Sequence, residues 1–386
     1  MNWSEKRSQL IRKLPTLLDI LERISLEEEI FLLKRMRLQF PTHYQEGMFF
    51  DEMMGDGTTQ LWPISLRPYI YYRGESEYHP VCKPSLYRPH MTPAKRFVER
   101  LKCCELSLLM SGHPMTKIFH NGVSIDSPTG DRIPLKLSVD YLALAQHYGI
   151  CTELLDLTVS KWVAAFFACT RCKDDVYTPI KDTDSYGVFY ELYVDDRDVP
   201  SDTEPSSRRL RAVGLQPFTR PGEQAGYVYK MTSRENFNKL CQRKTKFRHD
   251  PNVSELVFNY ANRSKKLFPY DLLQDKAKII KESKVFSNLA LKMAISFSFP
   301  KQPKDIYVSW MKEEGIQIQP NPIVSFTDLE CEDFLREWPS KEKAFYDRIV
   351  PRIVYSGKGK DFLEYFESGD PKNLVSSFCY ISGNTQ

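Results

Sequence analysis

The sequence predicts an α+β protein, and three observations carry that reading. Residues 187–194 (GVFYELYV) set Val188, Tyr190, Leu192 and Val194 against Phe189 and Tyr193, the period-two pattern of a strand. Shorter extended runs stand at Tyr69-Ile-Tyr-Tyr-Arg73 and Gly226-Tyr-Val-Tyr-Lys230. Helical stretches lie among them, at 92–110 and after Thr158, where Trp162, Val163, Phe166 and Phe167 recur at i and i+4. Strands and helices interleave over about 61–285, which argues for one mixed domain there.

In chain order, residues 15–38 alternate leucine and isoleucine with charged positions and predict helix, as two pieces broken near Ser25. The rise in Gly, Asp, Thr and Pro from 47 to 63 marks a loop or boundary. Residues 69–73 predict a strand ending in a cation, and Pro93 suits the first turn of the helix that follows. Residues 138–149 place Val139, Leu142, Ala145 and Tyr148 on one helical face, present Gln146 and His147 in the last turn, and end at Gly149, a left-handed cap. A short extended piece at 153–157 precedes the Trp162 helix. Residues 173–185 and 195–209 are polar loops. The tail, 286–386, reads as a separate mixed α/β region with strands at 306–310 and 353–355. The expected division is a helical region at 1–60, a domain at 61–285 and the tail.

The chain has 386 residues with 54 Lys+Arg against 50 Asp+Glu, 41% apolar and 13% aromatic. That apolar share can bury a sizeable core and excludes disorder as the main state. A formal charge of +4 is too small for a polyelectrolyte clamp on nucleic acid. The densest basic run, residues 243–249 (RKTKFRH), reads either as a solvated loop or helix face or as a local nucleic-acid contact. Charges throughout the first 35 residues exclude a secretory signal, and no apolar stretch approaches membrane-spanning length, so a cytoplasmic location with no membrane contact is expected. Nine cysteines read as reduced thiols. The pair Cys169-Thr-Arg-Cys172 has no second half at zinc-finger spacing, so no metal is expected. The adjacent Cys103 and Cys104 read as helix residues with at least one buried.

A set of ordered blocks carries a resemblance: Tyr71-Tyr-Arg73-Gly74-Glu75-Ser76, Pro84-Ser-Leu-Tyr-Arg88, Leu144-Ala-Gln-His-Tyr-Gly149, Leu154-Leu-Asp156-x-Thr158, Ala165-Phe-Phe-Ala168, Arg220-x-x-x-Gln224-x-Gly226-Tyr227 and Leu267-Phe-Pro-Tyr-Asp271. Together they resemble the FRG domain family. The chain departs from the family pattern in having Cys151-Thr152-Glu153 for Pro-Thr-Arg, Leu157 for Trp, and Tyr72 for the name-giving Phe. The exchange of Arg for Glu153 reverses a charge, so no ligand role is carried over to that position.

FRG domains resemble ADP-ribosyltransferases, and the resemblance implies an ADP-ribosyltransferase-like mixed β core with surrounding helices and a cleft for NAD as substrate. Arg73, Gly74, Arg88, Gln146 and Asp156 are implied on the nucleotide, with Thr158, His147, Gln224 and Glu223 at the reaction. Cleaving the nicotinamide–ribose bond builds positive charge on the sugar, which a carboxylate stabilises and a Gln can only orient. From the residues alone each position keeps a structural alternative. Arg73 suits a surface ion pair, His147 a contact to free helix carbonyls, Asp156 a helix cap or a pair with Arg73 or Arg88, Thr158 an N-cap, and Gln224 a bond to buried backbone. Trp162, Phe166 and Phe167 read as core. Two functions stay open. One is an enzyme that transfers ADP-ribose to a macromolecular acceptor or hydrolyses NAD, in a bacterial or phage-linked effector role. The other is a catalytically silent nucleotide- or protein-binding module.

Overall fold

The computed structural model describes residues 3–36, 47–53, 58–67, 69–126, 132–194, 209–216, 218–298, 300–350, 354–355 and 374–375. Its centre is a six-stranded sheet built from β1 (Ile70–Glu75), β2 (Leu154–Thr158), β3 (Tyr186–Tyr193), β4 (Leu210–Ala212), β5 (Gly226–Lys230) and β6 (Arg243–Arg248). The spatial order is β4-β5-β2-β1-β3-β6, and every neighbouring pair is antiparallel.

Both faces of this sheet are covered. Val188, Tyr190 and Leu192 of β3 join Tyr71, Leu155, Leu157 and Tyr227 in one core. Phe189 joins Tyr72, Phe166, Phe247 and Val257 in the other. The alternation in residues 187–194 therefore separates two cores, not core from solvent, which is why nearly the whole run is apolar. The second core is roofed by α1 (Leu17–Met36), α4 (Lys161–Cys169) and α6 (Pro251–Tyr260), with Leu17, Ile24, Val163 and Phe258 pointing inward.

One join in the sheet differs from the rest. β1 pairs with β3 along its full length, Ile70 opposite Tyr193 through Glu75 opposite Val188. β2 pairs with β5 from Leu154 opposite Lys230 to Thr158 opposite Gly226. Between β1 and β2, however, only Tyr72 and Thr158 are paired. The sheet is thus two three-stranded halves that touch at one point and then part, leaving main-chain groups of residues 73–75 and 154–157 without a ladder between them.

Against the other faces pack α2 (Pro93–Gly112), α3 (Tyr141–His147), α5 (Thr219–Glu223) and α7 (Leu272–Glu282). Thr92 caps α2, with Pro93 at its first turn. Asp140 caps α3, and Gly149 beyond it takes φ +80°, the left-handed stop its sequence position predicts. Cys103 and Cys104 are both buried in α2. Glu105, 1% exposed, accepts from the Ser287 amide at 2.9 Å, the Ser287 hydroxyl at 2.8 Å and the Ile323 amide at 2.9 Å. A buried carboxylate so employed ties residues 287–323 onto α2.

Several local expectations are corrected. Helix α1 runs unbroken through Ser25, whose hydroxyl folds back to the Leu21 carbonyl at 2.9 Å instead of ending the helix. The 47–63 stretch contains a hairpin, Phe49–Met53 with Thr59–Pro63, and the 173–185 loop is interrupted by Val176–Pro179 pairing with Thr170–Lys173. Residues 306–310 lie in a helix, Lys304–Glu313, because Tyr307 and Trp310 at i and i+3 pack on Phe97 of α2; the β-branched look of the run was outweighed by that apolar face. The basic run at 243–248 is the edge strand β6, not a loop or helix face. Its cations are engaged: Lys246 stands 3.9 Å from the Tyr78 ring centre and Arg243 pairs with Glu27 at 3.3 Å. The strand expected at 353–355 is described only at Val354–Tyr355, which pairs with Leu374–Val375; residue 353 and most of the 195–209 loop lie outside the described residues. Among the described residues no helix is long and apolar enough to cross a membrane.

Candidate functional site

A cleft of about 720 Å³ opens where β1 and β2 part. That volume suits a ligand of several hundred daltons. β1 supplies Arg73, Gly74 and Glu75, and β2 supplies Asp156, Leu157 and Thr158. The last turn of α3 brings Gln146 and His147, α5 and its cap bring Arg220 and Gln224, and α7 brings Gln274, Lys278 and Lys281. Tyr177 and Phe268, stacked at 4.6 Å and 23°, form an aromatic wall with Phe167. The turn that delivers Phe268 holds Asn262, Arg263 and Ser264 all at positive φ, at a cost of about 1–2 kcal/mol per residue.

The splay determines what the polar groups can do. Arg73 reaches across it, donating Nη1 to the Asp156 main-chain oxygen at 2.8 Å and Nε to Glu75 at 3.0 Å. It replaces the missing ladder bond with a side chain. Burial opposes its charge, but Glu75, Cys82 and Asp156 hold the guanidinium above its ordinary pKa. Gln146 donates to Asp156 Oδ2 at 3.0 Å and accepts from the Thr152 hydroxyl at 2.7 Å, so the Asp156 carboxylate is fixed in orientation.

Four buried polar atoms around this cleft have no hydrogen-bond partner among the described residues: Glu75 Oε2, Asp156 Oδ1, His147 Nε2 and Arg220 Nε. His147 has a side chain only 3% exposed, and its Nε2 stands 3.8 Å from Asp156 Oδ1, too far for a hydrogen bond. Burial lowers its pKa, with Arg220 acting in the same sense and Asp156 and Gln224 opposing, so the imidazole is neutral at pH 7. Groups this buried normally find partners, and several in one concavity make this cleft the candidate site.

Of the nine expected site residues the cleft gathers eight; Glu223 is the exception. Its carboxylate pairs with Arg348 at 2.6 Å and faces a smaller pocket of about 400 Å³ lined by Trp162, Tyr260 and Lys266. Side chains one residue apart at the end of a short helix point apart, and Gln224 took the cleft side. Thr158 is not the helix cap; Ser160 is, while the Thr158 hydroxyl donates to the Gln224 oxygen at 2.8 Å and accepts from the Ser160 amide at 3.0 Å. Asp156 likewise caps nothing. The Gln224 amide donates to the Leu267 oxygen at 3.0 Å. Arg88 is exposed at the rim. Gly74 has a structural cause for lacking a side chain: a Cβ there would lie 1.8 Å from the Ala164 oxygen of α4. Phe166 is core as expected, whereas Trp162 and Phe167 are half-buried and Phe167 faces the cleft.

The family model for the FRG domain matches residues 68–176, which contain β1, β2, α3 and α4. The chain carries an FRG domain. The match spans both strands that part at Tyr72 and Thr158, while the FRG cleft also draws on Arg220, Gln224 and α7 from beyond the matched residues. No curated protein and no solved structure matches the chain.

The roles of Glu75, Arg220, Lys278 and Lys281 were not assigned from sequence. Arg220 stood in a quoted block without a role, and the two lysines look like any solvated stripe of an amphipathic helix.

The neutral histidines have a pH signature. Burial lowers the pKa of His147 and His249 and takes His113 down to about 4. A lowered histidine pKa means that the unfolded chain takes up the proton first, so stability is full above about pH 6.5 and falls as pH drops. For His113 the loss reaches about 3 kcal/mol by pH 4. Denaturant midpoints measured from pH 7 to 4 should fall continuously, and less steeply in His113→Asn, which keeps an acceptor for the Met115 amide. A flat profile for the wild type would contradict this.

Proposed function

We propose that the FRG cleft binds NAD and breaks its nicotinamide–ribose bond on an ADP-ribosyltransferase-like split sheet, passing ADP-ribose to a macromolecular acceptor or to water. The observation that carries the reading is the pair of unpartnered atoms, Asp156 Oδ1 and His147 Nε2, 3.8 Å apart in the cleft. One ribose hydroxyl between them satisfies both, donating to the carboxylate and meeting the imidazole nitrogen.

The same carboxylate then faces the sugar as it becomes cationic. The C1′–N bond breaks with its electron pair going to the pyridinium nitrogen, releasing neutral nicotinamide. Water or an acceptor nucleophile adds to C1′, and its proton leaves to solvent. Gln146 and Arg73 hold Asp156 in place through its side chain and its main chain respectively. Tyr177, Phe268 and Phe167 give the planar bases an apolar wall.

The main-chain bonds that occupy Gln224 and Thr158 favour a second reading, a silent nucleotide-binding module. Incubation with NAD separates the two. Nicotinamide release is expected, weakened by Arg73→Ala; binding by calorimetry without release supports the module, and neither binding nor release with any acceptor fraction sinks both.

A further inference from the structure

We infer that Arg220, Lys278 and Lys281 form a diphosphate-binding subsite on one wall of the cleft; the inference rests on the nucleotide reading above and says where the charged part of the ligand lies. Arg220 is a buried guanidinium, 7% exposed, and among the described residues no carboxylate lies within ion-pairing distance of it. Its Nη1 donates to the His147 main-chain oxygen at 3.0 Å and its Nη2 to Gln274 Oε1 at 2.6 Å, both neutral acceptors. Tyr148 and Phe268 lie against the guanidinium at 4.9 and 5.3 Å. Its Nε is buried and has no acceptor among the described residues. Asp271 is near enough for Arg220 to lower its pKa, yet burial wins and the carboxyl is raised, while its Oδ2 is held by the Tyr148 hydroxyl at 2.6 Å. A buried cation without a counter-ion is costly, and an anionic ligand removes the cost.

Contrast with Arg73 makes the assignment specific. Arg73 is neutralised by Glu75 at 3.0 Å. Arg220, among the described residues, makes no ion pair at all.

The two lysines fall into place through Gln274. Residues 274, 278 and 281 follow the i, i+4, i+7 spacing of one helical stripe, and all three line the cleft. Gln274 holds Arg220, and neither Lys278 nor Lys281 makes an ion pair among the described residues. Lys281 Nζ lies beside Gly149, where a Cβ would come within 3.2 Å of it. Arg220 holds the His147 oxygen and Lys281 covers Gly149, so two positive charges converge on the turn 147–149, and Lys278 lines the same cleft one helical turn before Lys281. That turn carries His147, and the ribose position between His147 and Asp156 is its immediate neighbour. A diphosphate joined to that ribose therefore lies over the turn; Asp275 on the same helix also lines the cleft, its Oδ2 accepting from the Tyr270 hydroxyl at 2.6 Å.

The test uses the full chain, with ADP-ribose and inorganic diphosphate as probes in calorimetry at low and moderate salt. Lys278→Ala/Lys281→Ala, both toward the solvent side of α7, is expected to weaken ADP-ribose roughly tenfold or more and to flatten its salt dependence. Arg220→Gln is expected to weaken it roughly a hundredfold. Should Arg220→Gln fail to fold, the lysine pair still decides. ADP-ribose binding that is unchanged in the lysine variant overturns the subsite and leaves the nucleotide reading standing. Lysine-dependent diphosphate binding with no affinity for ADP-ribose supports an anion subsite and removes the nucleotide. Failure of both probes overturns both.

Discussion

On the proposed reaction, Asp156→Asn is expected to lower nicotinamide release from NAD by about 10²- to 10³-fold, the usual loss when a group aimed at developing charge is neutralised. The substitution is chosen for what it preserves. Gln146 can still meet one oxygen, and the Arg73 bond goes to the main-chain carbonyl, so the corner between β2 and α4 keeps its geometry. What the substitution removes is the negative charge that the proposed reaction places beside the sugar as the glycosidic bond breaks. Ground-state affinity for ADP-ribose therefore stays within a few-fold, and the effect falls on kcat. Chromatographic assay of nicotinamide, with calorimetry on ADP-ribose as the companion, checks both halves. A variant as fast as the wild type would show that Asp156 is not the carboxylate that serves the sugar, and Glu75, whose Oε2 is also unpartnered, becomes the candidate.

Gly74→Ala destabilises the fold by about 3 kcal/mol or more, because the new methyl would meet backbone, not a side chain able to swing away. The Cβ would stand 1.8 Å from the Ala164 oxygen and 2.8 Å from the Ala168 methyl, so α4 must lift from β1. That movement also displaces Val163 and Phe166 from the core they share with Tyr72. Gly112 is the internal control: it ends α2 with open space where a Cβ would go, and Gly112→Ala is expected to be neutral or to stabilise by about 0.5–1 kcal/mol. Urea denaturation of the two variants beside the wild type measures the difference. Equal midpoints for all three proteins would refute the close contact of α4 with β1.

The elements legible in the sequence were those whose neighbours in the chain determine them. Gly226–Lys230 forms as its pattern predicts, and α2 begins at the Thr92–Pro93 signal. Residues 306–310 went wrong because a single face of Tyr307 and Trp310 fits a strand as well as a helix, and only Phe97, some two hundred positions earlier, decides. The candidate site divides in the same way. Arg73, Gln146, His147 and Asp156 stand in short blocks and come together in the cleft. Arg220 and the lysines of α7 do not announce themselves, since an unpaired buried charge is a property of what surrounds it. Gly74 stands in one of those blocks as well, and the group that comes close to it is a helix of the same chain.

Arg348 has a consequence for how the molecule is assembled. Its Nε donates to the Gly47 oxygen at 3.0 Å, 301 positions away, and its Nη1 to Glu223, while Phe49 pairs with Ile349 in parallel. Closing so long a span comes late in folding, after the local helices and hairpins have formed. During synthesis α5, the short helix that carries Arg220, waits unbraced at Glu223 until residue 348 has left the ribosome. The brace on Glu223 is therefore added last, by an arginine outside the cleft lining, and a nascent chain can hold the central sheet before that brace is in place.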